Sequence, residues 1–465
     1  MKISRKQLII SISALLILVC IASLVVFIVP LLGKSGQTDE TTTIETRGSN
    51  PTLTPSPTPT PQPAGTPRLD RLEMVTDQAF GDGNNYVPNG WGVHKTRIVR
   101  TSTGDIFTVY ISEGSHDNRT WHLMHRPPNG SWEEIKNGNA GAEPINIVLG
   151  PHDEIHLFTW PGTNAILDHL ESTDLGKTWT SQTLPGKWIV DQGYGGAAIN
   201  SQGDIIVFQT GADKPGAFLW SYYTPETNQW KFNSVQIDYR CTYAFFFPGN
   251  NNDLTITCMR DLLRDEIGYP PASGDFQYVF DESEYFYIKD INNPQPTQLV
   301  VKKVPPQSGQ DYNLTYSSDA YMDTQGRTHI LYNNLYSGPH HVIIQNGQVI
   351  KDVAIHQINQ KYGNKMRITQ DAAGRFYILW IDDNGSLYVL PGAADDTDGT
   401  NMEPVVKLNI SKYPGCIDDD FCQIPTFTIP RSGNPRSNYI DGTYGNFNKV
   451  IYFRINLRGT NEGRS

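Results

Sequence analysis

The chain has 465 residues, in which 37 lysines and arginines oppose 48 aspartates and glutamates, giving a formal net charge of −11. Such an acidic chain is poorly suited to nucleic-acid binding, and a hydrophobic content of 38% is too low for a protein that crosses a membrane many times. The 41 glycines, 31 prolines and an aromatic share of 11% are typical of short strands and many turns.

The first predicted element is a membrane anchor. Residues 1–7 carry three basic side chains, and residues 8–32 form an uncharged, largely apolar run. A helix needs roughly 20 apolar residues to cross a bilayer core, whereas the apolar core of a cleavable signal peptide usually has only about 7–15. We therefore predict a single-pass protein of the cell membrane, with a cytoplasmic basic N-terminus and an extracellular C-terminal domain. A long signal peptide is the alternative.

The second predicted element is a linker at residues 33–69. Within it, residues 51–63 alternate proline with small polar residues, chiefly threonine. This composition favours an extended polyproline II conformation and lacks the apolar residues of a core. We expect the segment to hold the next domain away from the membrane. A disordered linker without a defined reach is the alternative interpretation.

Residues 70–465 contain a short repeat, in which a turn rich in glycine, aspartate or asparagine precedes a strand of alternating apolar residues. Its copies lie at 103–110, 151–158, 201–208, 251–257, 323–332, 371–380 and, more loosely, 441–453. A strand-only repeat of roughly 50 residues is typical of a four-stranded β-propeller blade. We predict an all-β domain, a single propeller of six or seven blades whose ends pair to close the ring, with an insertion at about 261–283.

A complete sequence motif lies at Ser172–Trp179, where the residues follow the pattern Ser-x-Asp-x-Gly-x-Thr-Trp. It resembles the Asp box, or BNR repeat, of sialidase-like propellers, and this resemblance implies a structural role in a hairpin turn. The aspartate would accept backbone N–H bonds, the glycine would adopt a positive φ, and the tryptophan would pack between blades. The motif residues are Ser172, Asp174, Gly176, Thr178 and Trp179.

The same resemblance suggests a place for catalytic residues. The segment 96–106 is similar to the first strand of sialidases, with Val99 in place of a proline. Arg97 would then bind the sialic acid carboxylate through two hydrogen bonds. The acid would be Glu113 or Asp117, assisted by His116. A surface arginine and a solvated acidic loop are the alternatives, and the sequence singles out no tyrosine–glutamate pair for the remaining roles.

The cysteines outside the anchor form two candidate pairs. Cys241 and Cys258 flank a predicted turn, and Cys416 and Cys422 enclose a short acidic loop. Disulfides suit an oxidising exterior, and four free thiols are the alternative. The cysteine and histidine spacings do not match a zinc motif, so we predict no metal.

Two acidic loops, at 395–399 and 418–420, offer oxygen ligands of the kind that Ca²⁺ prefers. Neither loop matches a complete calcium-binding loop, and we interpret both as solvated turns. We therefore predict no cofactor, with Ca²⁺ as the alternative.

Taken together, these features predict a membrane-anchored, extracellular, sialidase-like propeller that acts on glycans, as a glycoside hydrolase. Its partners would be carbohydrate or a cell-surface molecule. One alternative is a non-catalytic propeller that binds glycan or protein, since the fold alone does not determine the function. A second alternative is a polysaccharide lyase, which would use histidine or tyrosine as base and acid. His94, three residues before Arg97, is a candidate for such a role.

Overall fold

The computed structural model describes residues 65–79, 92–115, 118–141, 145–160, 165–189, 194–211, 216–268, 277–305, 313–415, 425–446 and 448–459. Among these residues, no helix is long and apolar enough to cross a membrane. The predicted anchor at 8–32 and most of the predicted linker lie outside the described residues, so both stay predictions.

The described strands form seven antiparallel sheets of four, which are the blades of a β-propeller. Strand β1 (Arg68–Thr76) comes first in the chain and belongs to the last blade. Blade 1 contains β2 (Ile98–Arg100), β3 (Ile106–Ser115), β4 (Asn118–Arg126) and β5 (Glu133–Ala140). Blade 2 contains β6 (Asn146–Leu149), β7 (Ile155–Thr159), β8 (Asp168–Ser172) and β9 (Thr180–Thr183). Blade 3 contains β10 (Gly196–Ile199), β11 (Ile205–Thr210), β12 (Gly216–Thr224) and β13 (Gln229–Ile237).

The remaining four blades follow the same order along the chain. Blade 4 contains β14 (Arg240–Pro248), β15 (Leu254–Leu263), β16 (Tyr278–Ile288) and β17 (Pro296–Lys303). Blade 5 contains β18 (Thr315–Met322), β19 (Thr328–Asn334), β20 (Gly338–Gln345) and β21 (Gln348–Ala354). Blade 6 contains β22 (Arg367–Gln370), β23 (Phe376–Ile381), β24 (Leu387–Pro391) and β25 (Val406–Leu408). Blade 7 contains β26 (Thr426–Phe427), β27 (Tyr439–Asn446) and β28 (Lys449–Asn456). The blade count of seven resolves the predicted choice between six and seven.

The ring closes by pairing between the two ends of the described chain. Strand β1 lies antiparallel to β28, with Arg68 opposite Asn456 and Thr76 opposite Val450, and so forms the outer strand of blade 7. The closing strand therefore begins two residues before the predicted domain start at 70. This pairing provides hydrogen-bond partners for the backbone groups of a strand edge that would otherwise be unpaired.

The burial of the strands explains their sequences. The inner strands of blades 2, 3 and 6 are buried at every position, because each packs against neighbouring blades on both faces. The outer strand of blade 2 is exposed throughout. Six of the seven predicted copies of the repeat coincide with the turn between the first and second strands of a blade, where Gly104, Gly203 and Gly374 have φ values of 91°, 88° and 91°. The loosest copy, at 441–453, lies instead on β27 and β28, the second and third strands of blade 7. Glycine is favoured there because other residues rarely adopt a positive φ.

The predicted insertion at 261–283 is wrong at its two ends. Residues 261–263 and 278–283 belong to β15 and β16, the paired second and third strands of blade 4. Residues 264–267 form a 3-10 turn after β15, and residues 269–276 lie outside the described residues.

A disulfide links the first two strands of blade 4. Cys241 on β14 and Cys258 on β15 are bonded, with their Cα atoms 5.7 Å apart, so this predicted pair is confirmed. Both residues belong to the apolar core between blades 3 and 4, where Phe208 and Phe246 stack with their ring centroids 4.0 Å apart. The second predicted pair, Cys416 and Cys422, lies outside the described residues.

We expect the paired change Cys241→Ala and Cys258→Ala to lower the free energy of unfolding by about 3 kcal/mol, because the bond closes a loop of 17 residues in the unfolded chain. Denaturant unfolding monitored by tryptophan fluorescence measures the loss. A reductant should lower the midpoint of the unaltered protein by more than it lowers that of the variant, which keeps the predicted second pair, Cys416 and Cys422. Equal midpoints for both proteins under oxidising conditions would contradict the prediction.

Candidate functional site

The segment from Gly92 to Arg97 connects blade 7 to blade 1 and contacts the inner strands of several other blades. Arg367 of blade 6 donates from Nη1 to the Val93 carbonyl oxygen at 2.8 Å. Arg431 of blade 7 donates from Nη1 to the His94 carbonyl oxygen at 2.7 Å. On blade 2, the Asn146 side chain accepts the Thr96 N–H at 3.1 Å. These bonds hold the segment inside the ring of inner strands.

Buried charges surround this segment. The Arg367 guanidinium donates from Nε to Asp319 at 3.1 Å, and Asp319 also accepts the backbone N–H groups of Ile368 and Ala320 at 2.9 Å each. Burial raises the pKa of Asp319, while Arg367 acts in the opposite direction. Burial also lowers the pKa of Arg431 to about 9. The hydrogen bonds of Asp319 and Arg367 compensate for removing these two groups from water.

Arg97, the predicted carboxylate-binding arginine, is buried at the start of blade 1, with 5% of its surface exposed. Burial lowers its pKa to about 9, and repulsion from Arg367 contributes. Its carbonyl oxygen accepts bonds from Val109 and Thr108. Glu113 lies on β3, but its side chain is not described, and Asp117 and His116 lie outside the described residues. The catalytic roles of Arg97, Glu113 and Asp117 therefore stay predictions.

A cluster of aromatic and basic side chains lies at one end of the propeller, and we call it the mouth cluster. Each member lies just before or near the start of the first or third strand of a blade. Because neighbouring strands are antiparallel, first and third strands run in the same direction and start at the same end of the propeller. The members are His94, Tyr194, Arg240, Tyr243 and Tyr278. Of these residues, the sequence pointed only to His94. The three tyrosines are aromatic residues at or near strand starts, but aromatic residues are frequent throughout the chain, so this position alone does not select them.

The rings of the mouth cluster contact one another. The ring centroids of Tyr194 and Tyr243 are 5.0 Å apart, and His94 lies 6.3 Å from the first and 5.9 Å from the second. Both tyrosines have a positive φ, 47° for Tyr194 and 50° for Tyr243. This backbone conformation costs roughly 1–3 kcal/mol for a residue other than glycine, and such strain concentrates at functional sites. The backbone conformations of the two tyrosines therefore point to a functional role for this cluster.

The electrostatics of the mouth cluster are fixed by burial and by one ion pair. Burial lowers the pKa of His94 well below its usual value, and Lys95, Arg431 and Arg97 lower it further, so the imidazole is neutral at pH 7. Asp261 accepts a hydrogen bond from the Arg240 guanidinium at 2.9 Å, and this interaction raises the pKa of Arg240.

The Arg240 guanidinium carbon lies 3.8 Å from the Tyr278 ring centroid and 6.0 Å from that of Tyr194. His94 and Tyr243 are buried, whereas Tyr194, Arg240 and Tyr278 are partly exposed. The mouth cluster thus presents phenols and a permanent cation to solvent, with a neutral imidazole beneath them.

A second cluster lies on blade 4, and we call it the carboxyl cluster. The Tyr239 hydroxyl donates to Glu284, with 2.8 Å to each carboxyl oxygen, and Gln298 donates to Glu284 at 3.0 Å. Glu282, two residues along the same strand, pairs with Arg260 at 2.5 Å and with Lys303. This is a tyrosine–glutamate pair that the sequence analysis did not find. Alternating glutamates in the buried strand 278–288 were the available signal.

Burial raises the pKa of the Glu284 carboxyl to about 8, and the neighbouring Glu282 contributes, while Tyr239 and Arg260 act in the opposite direction. Burial, with Glu284, also raises the pKa of Tyr239. Glu284 is therefore largely protonated at pH 7, whereas Glu282 is held beside two cations. Two carboxyl groups in unlike environments are a common basis for acid and base roles.

The Asp-box-like motif forms a tight turn between β8 and β9. Asp174 accepts bonds from the Thr178 N–H at 2.8 Å and the Thr178 hydroxyl at 2.6 Å, and these bonds lower its pKa to about 2. Gly176 has a φ of 83°, and the Trp179 indole donates to the Gly176 carbonyl oxygen at 2.9 Å. Ser172 donates to Asp174 at 2.9 Å. These contacts hold the turn together.

The acidic loop at 395–399 is bonded within itself. Asp396 accepts the backbone N–H groups of Gly399 and Thr400, and Asp398 pairs with Lys351. These carboxylates already have donors, as in a hydrogen-bonded turn. The other predicted acidic loop, at 418–420, lies outside the described residues.

Comparison with known proteins does not identify a family for this chain. The chain matches no protein-family profile and no curated protein. Among solved structures it resembles the polysaccharide lyase Uly1, with 13% identity over 84% of this chain and 100% of that chain, and a TM-score of 0.49.

An ulvan lyase bound to -[GlcA(1-4)Rha3S]- is 12% identical over 82% and 95% of the two chains, with a TM-score of 0.49. A lectin from Aleuria aurantia in complex with α-methyl-L-fucoside is 9% identical over 67% and 93%, with a TM-score of 0.37. The sialidase-like resemblance of the motif stays a prediction about the family.

We expect Glu284→Gln to stabilise the protein at alkaline pH. A carboxyl whose pKa is raised on folding stabilises the fold while it is protonated, and that stability is lost as pH rises from about 4.5 to about 8. Each pKa unit corresponds to about 1.4 kcal/mol, so the gain at pH 9 should be a few kcal/mol. Denaturant unfolding at pH 5, 7 and 9 measures it. A variant with the same pH dependence as the unaltered protein would contradict the prediction.

Proposed function

We propose that the protein binds an acidic polysaccharide at the mouth cluster and cleaves it by β-elimination beside a uronate residue. This proposal rests on one observation, that a neutral imidazole, two tyrosines with positive φ and a permanently charged guanidinium lie close together. Eliminative cleavage requires a group that removes a carbon-bound proton, a group that protonates the leaving oxygen and a cation beside the carboxylate. The mouth cluster contains side chains suited to all three roles.

The proposed carboxylate-binding group is Arg240. Asp261 keeps its guanidinium charged, and the contact with the Tyr278 ring orients its plane. A uronate carboxylate beside this cation makes the proton on the adjacent C5 carbon easier to remove, because negative charge develops on the carboxylate during removal.

The proposed proton-transfer group is Tyr194, which is partly exposed and lies between Arg240 and His94. The phenolate form of Tyr194, which the charge of Arg240 stabilises, removes the C5 proton. The electron pair of the C5–H bond forms the C4=C5 double bond, and the C4–O4 bond breaks with its electrons on O4. Tyr194 then donates the proton it removed to O4, which regenerates the phenolate.

A second candidate function is glycoside hydrolysis at the carboxyl cluster. Protonated Glu284 would donate to the leaving oxygen, and Glu282 would act as the ionised partner. Both carboxyl groups are buried, and Tyr239 and Gln298 already bond to Glu284. The mouth cluster is favoured because three of its members are partly exposed to solvent.

We also propose, from the sequence alone, that residues 8–32 anchor the protein in the cell membrane with the propeller outside. A carbohydrate substrate on the cell surface or in the medium would then be accessible to the mouth cluster.

The proposal is tested by incubating the full chain with uronate-rich and neutral polysaccharides and following the ultraviolet absorbance of the new double bond. We expect product from the uronate-rich substrates alone. Tyr194→Phe should lower kcat by roughly 100-fold or more, the usual contribution of a proton-transfer group. Arg240→Lys should mainly raise KM, because an ammonium lacks the planar fork of a guanidinium.

Tyr336→Phe is the matched control, because Tyr336 is 50% exposed and lies on blade 5. New reducing ends without a new double bond, lost in Glu284→Gln and kept in Tyr194→Phe, would favour hydrolysis instead. Polysaccharide binding without cleavage would reject both reactions and favour a binding propeller.

A further inference from the structure

A groove between blades 2 and 3 brings together three potential metal ligands. His156 lies on β7, and His169 and Glu171 lie on β8. The distance from His156 Nδ1 to His169 Nε2 is 3.0 Å, and one ligand atom of each residue lies within 4.8 Å of the others. They line a cavity of about 530 Å³. We propose that His156, His169 and Glu171 bind a divalent transition metal of the zinc class, with one coordination position open to this cavity.

The chemistry of the three donors suits such an ion. Zinc binds imidazole nitrogen and carboxylate oxygen, and a site with three protein ligands leaves a fourth position for water or a substrate. Two tetrahedral nitrogen ligands lie about 3.3 Å apart, close to the 3.0 Å separation of the imidazole nitrogens.

The neighbours of His169 hold its ring in place. Gln182 Nε2 lies 3.3 Å from His169 Nδ1, the nitrogen that does not face His156. With the amide turned over, Oε1 takes this place and accepts the Nδ1–H that a ring bound to metal through Nε2 carries. Phe158 stacks on the same ring at a centroid distance of 5.0 Å, and Trp230 of blade 3 meets it edge to face at 5.2 Å. A polar group on the outer nitrogen of a ligand histidine commonly fixes the orientation of the ring.

Blade 5 contains an internal comparison in the same strand register. His329 on β19 and His341 on β20 are placed like His156 and His169, and their Nδ1 and Nε2 atoms lie 2.9 Å apart. The position opposite His329 is Ile343, whereas the position opposite His156 is Glu171. Blade 5 therefore repeats the histidine pair without the third ligand.

The outer nitrogens of the blade 5 pair are also bonded differently. His329 Nε2 lies 3.3 Å from Asp323, and His341 Nδ1 lies 2.9 Å from the Gly399 carbonyl oxygen. Val353 takes the place that Gln182 has beside His169. The blade 5 pair is a closed hydrogen-bonded element of the core. In blade 2, a carboxylate and an open cavity accompany the same pair, and this difference is what points to a metal ion.

The test uses the full chain without a polyhistidine tag, treated with a chelator and then titrated with Zn²⁺ by calorimetry and with Co²⁺ by visible absorption. We expect one equivalent of each metal, with the intense visible bands of tetrahedral Co²⁺. Glu171→Ile reproduces the blade 5 residue at a partly exposed strand position and should weaken binding at least 10-fold. His169→Gln should abolish it.

Glu154→Gln is the control, because Glu154 is a nearby carboxylate outside the three-ligand set, and it should bind metal like the unaltered protein. Circular dichroism establishes whether each variant is folded. If the His169→Gln variant does not fold, the test relies on Glu171→Ile alone. No stoichiometric binding by the unaltered protein would overturn the proposal. Binding that is unchanged in a folded Glu171→Ile variant would overturn it as well.

Discussion

The pairing of β1 with β28 is the interaction on which the rest of the structure depends. It joins residues near the two ends of the described chain, Arg68 and Asn456, in one antiparallel ladder. Without it, blade 7 would have an open strand edge, and the segment after β1 would not be directed into the ring. That segment carries His94 and Arg97, so the ring closure that stabilises the fold also places the candidate catalytic residues.

The placement has an electrostatic consequence. Arg367 and Arg431 are buried, and each donates to a backbone carbonyl of the 92–97 segment. Their charges, with that of Lys95, lower the pKa of His94. The contacts that secure the segment therefore also keep the imidazole neutral. A neutral imidazole adds no further positive charge to this group of buried cations.

The sequence predicted the propeller because its repeat has a direct physical cause. Gly104, Gly203 and Gly374 occupy turn positions with positive φ, and these positions recur once in each blade. The predicted bounds of the insertion were too wide, because residues 261–263 and 278–283 are strand residues that pair across blade 4. The mouth cluster was beyond sequence reasoning for a different reason. Its members come from positions 94 to 278, and their proximity is created by the circular order of the blades.

The histidine pairs show how blades with one geometry acquire different chemistry. Identical register places two imidazoles within hydrogen-bond distance in blades 2 and 5, so the pair itself follows from the backbone. In blade 5 the corresponding positions are Ile343 and Val353, and the outer nitrogens of the rings contact Asp323 and the Gly399 carbonyl oxygen. In blade 2 the corresponding positions are Glu171 and Gln182, which add a charge and a polar neighbour at the edge of a cavity. Glu171 is partly exposed at the edge of this cavity, so its carboxylate can bind the same ion as the two rings. The third ligand and the open cavity therefore distinguish the histidine pair of blade 2 from the closed pair of blade 5.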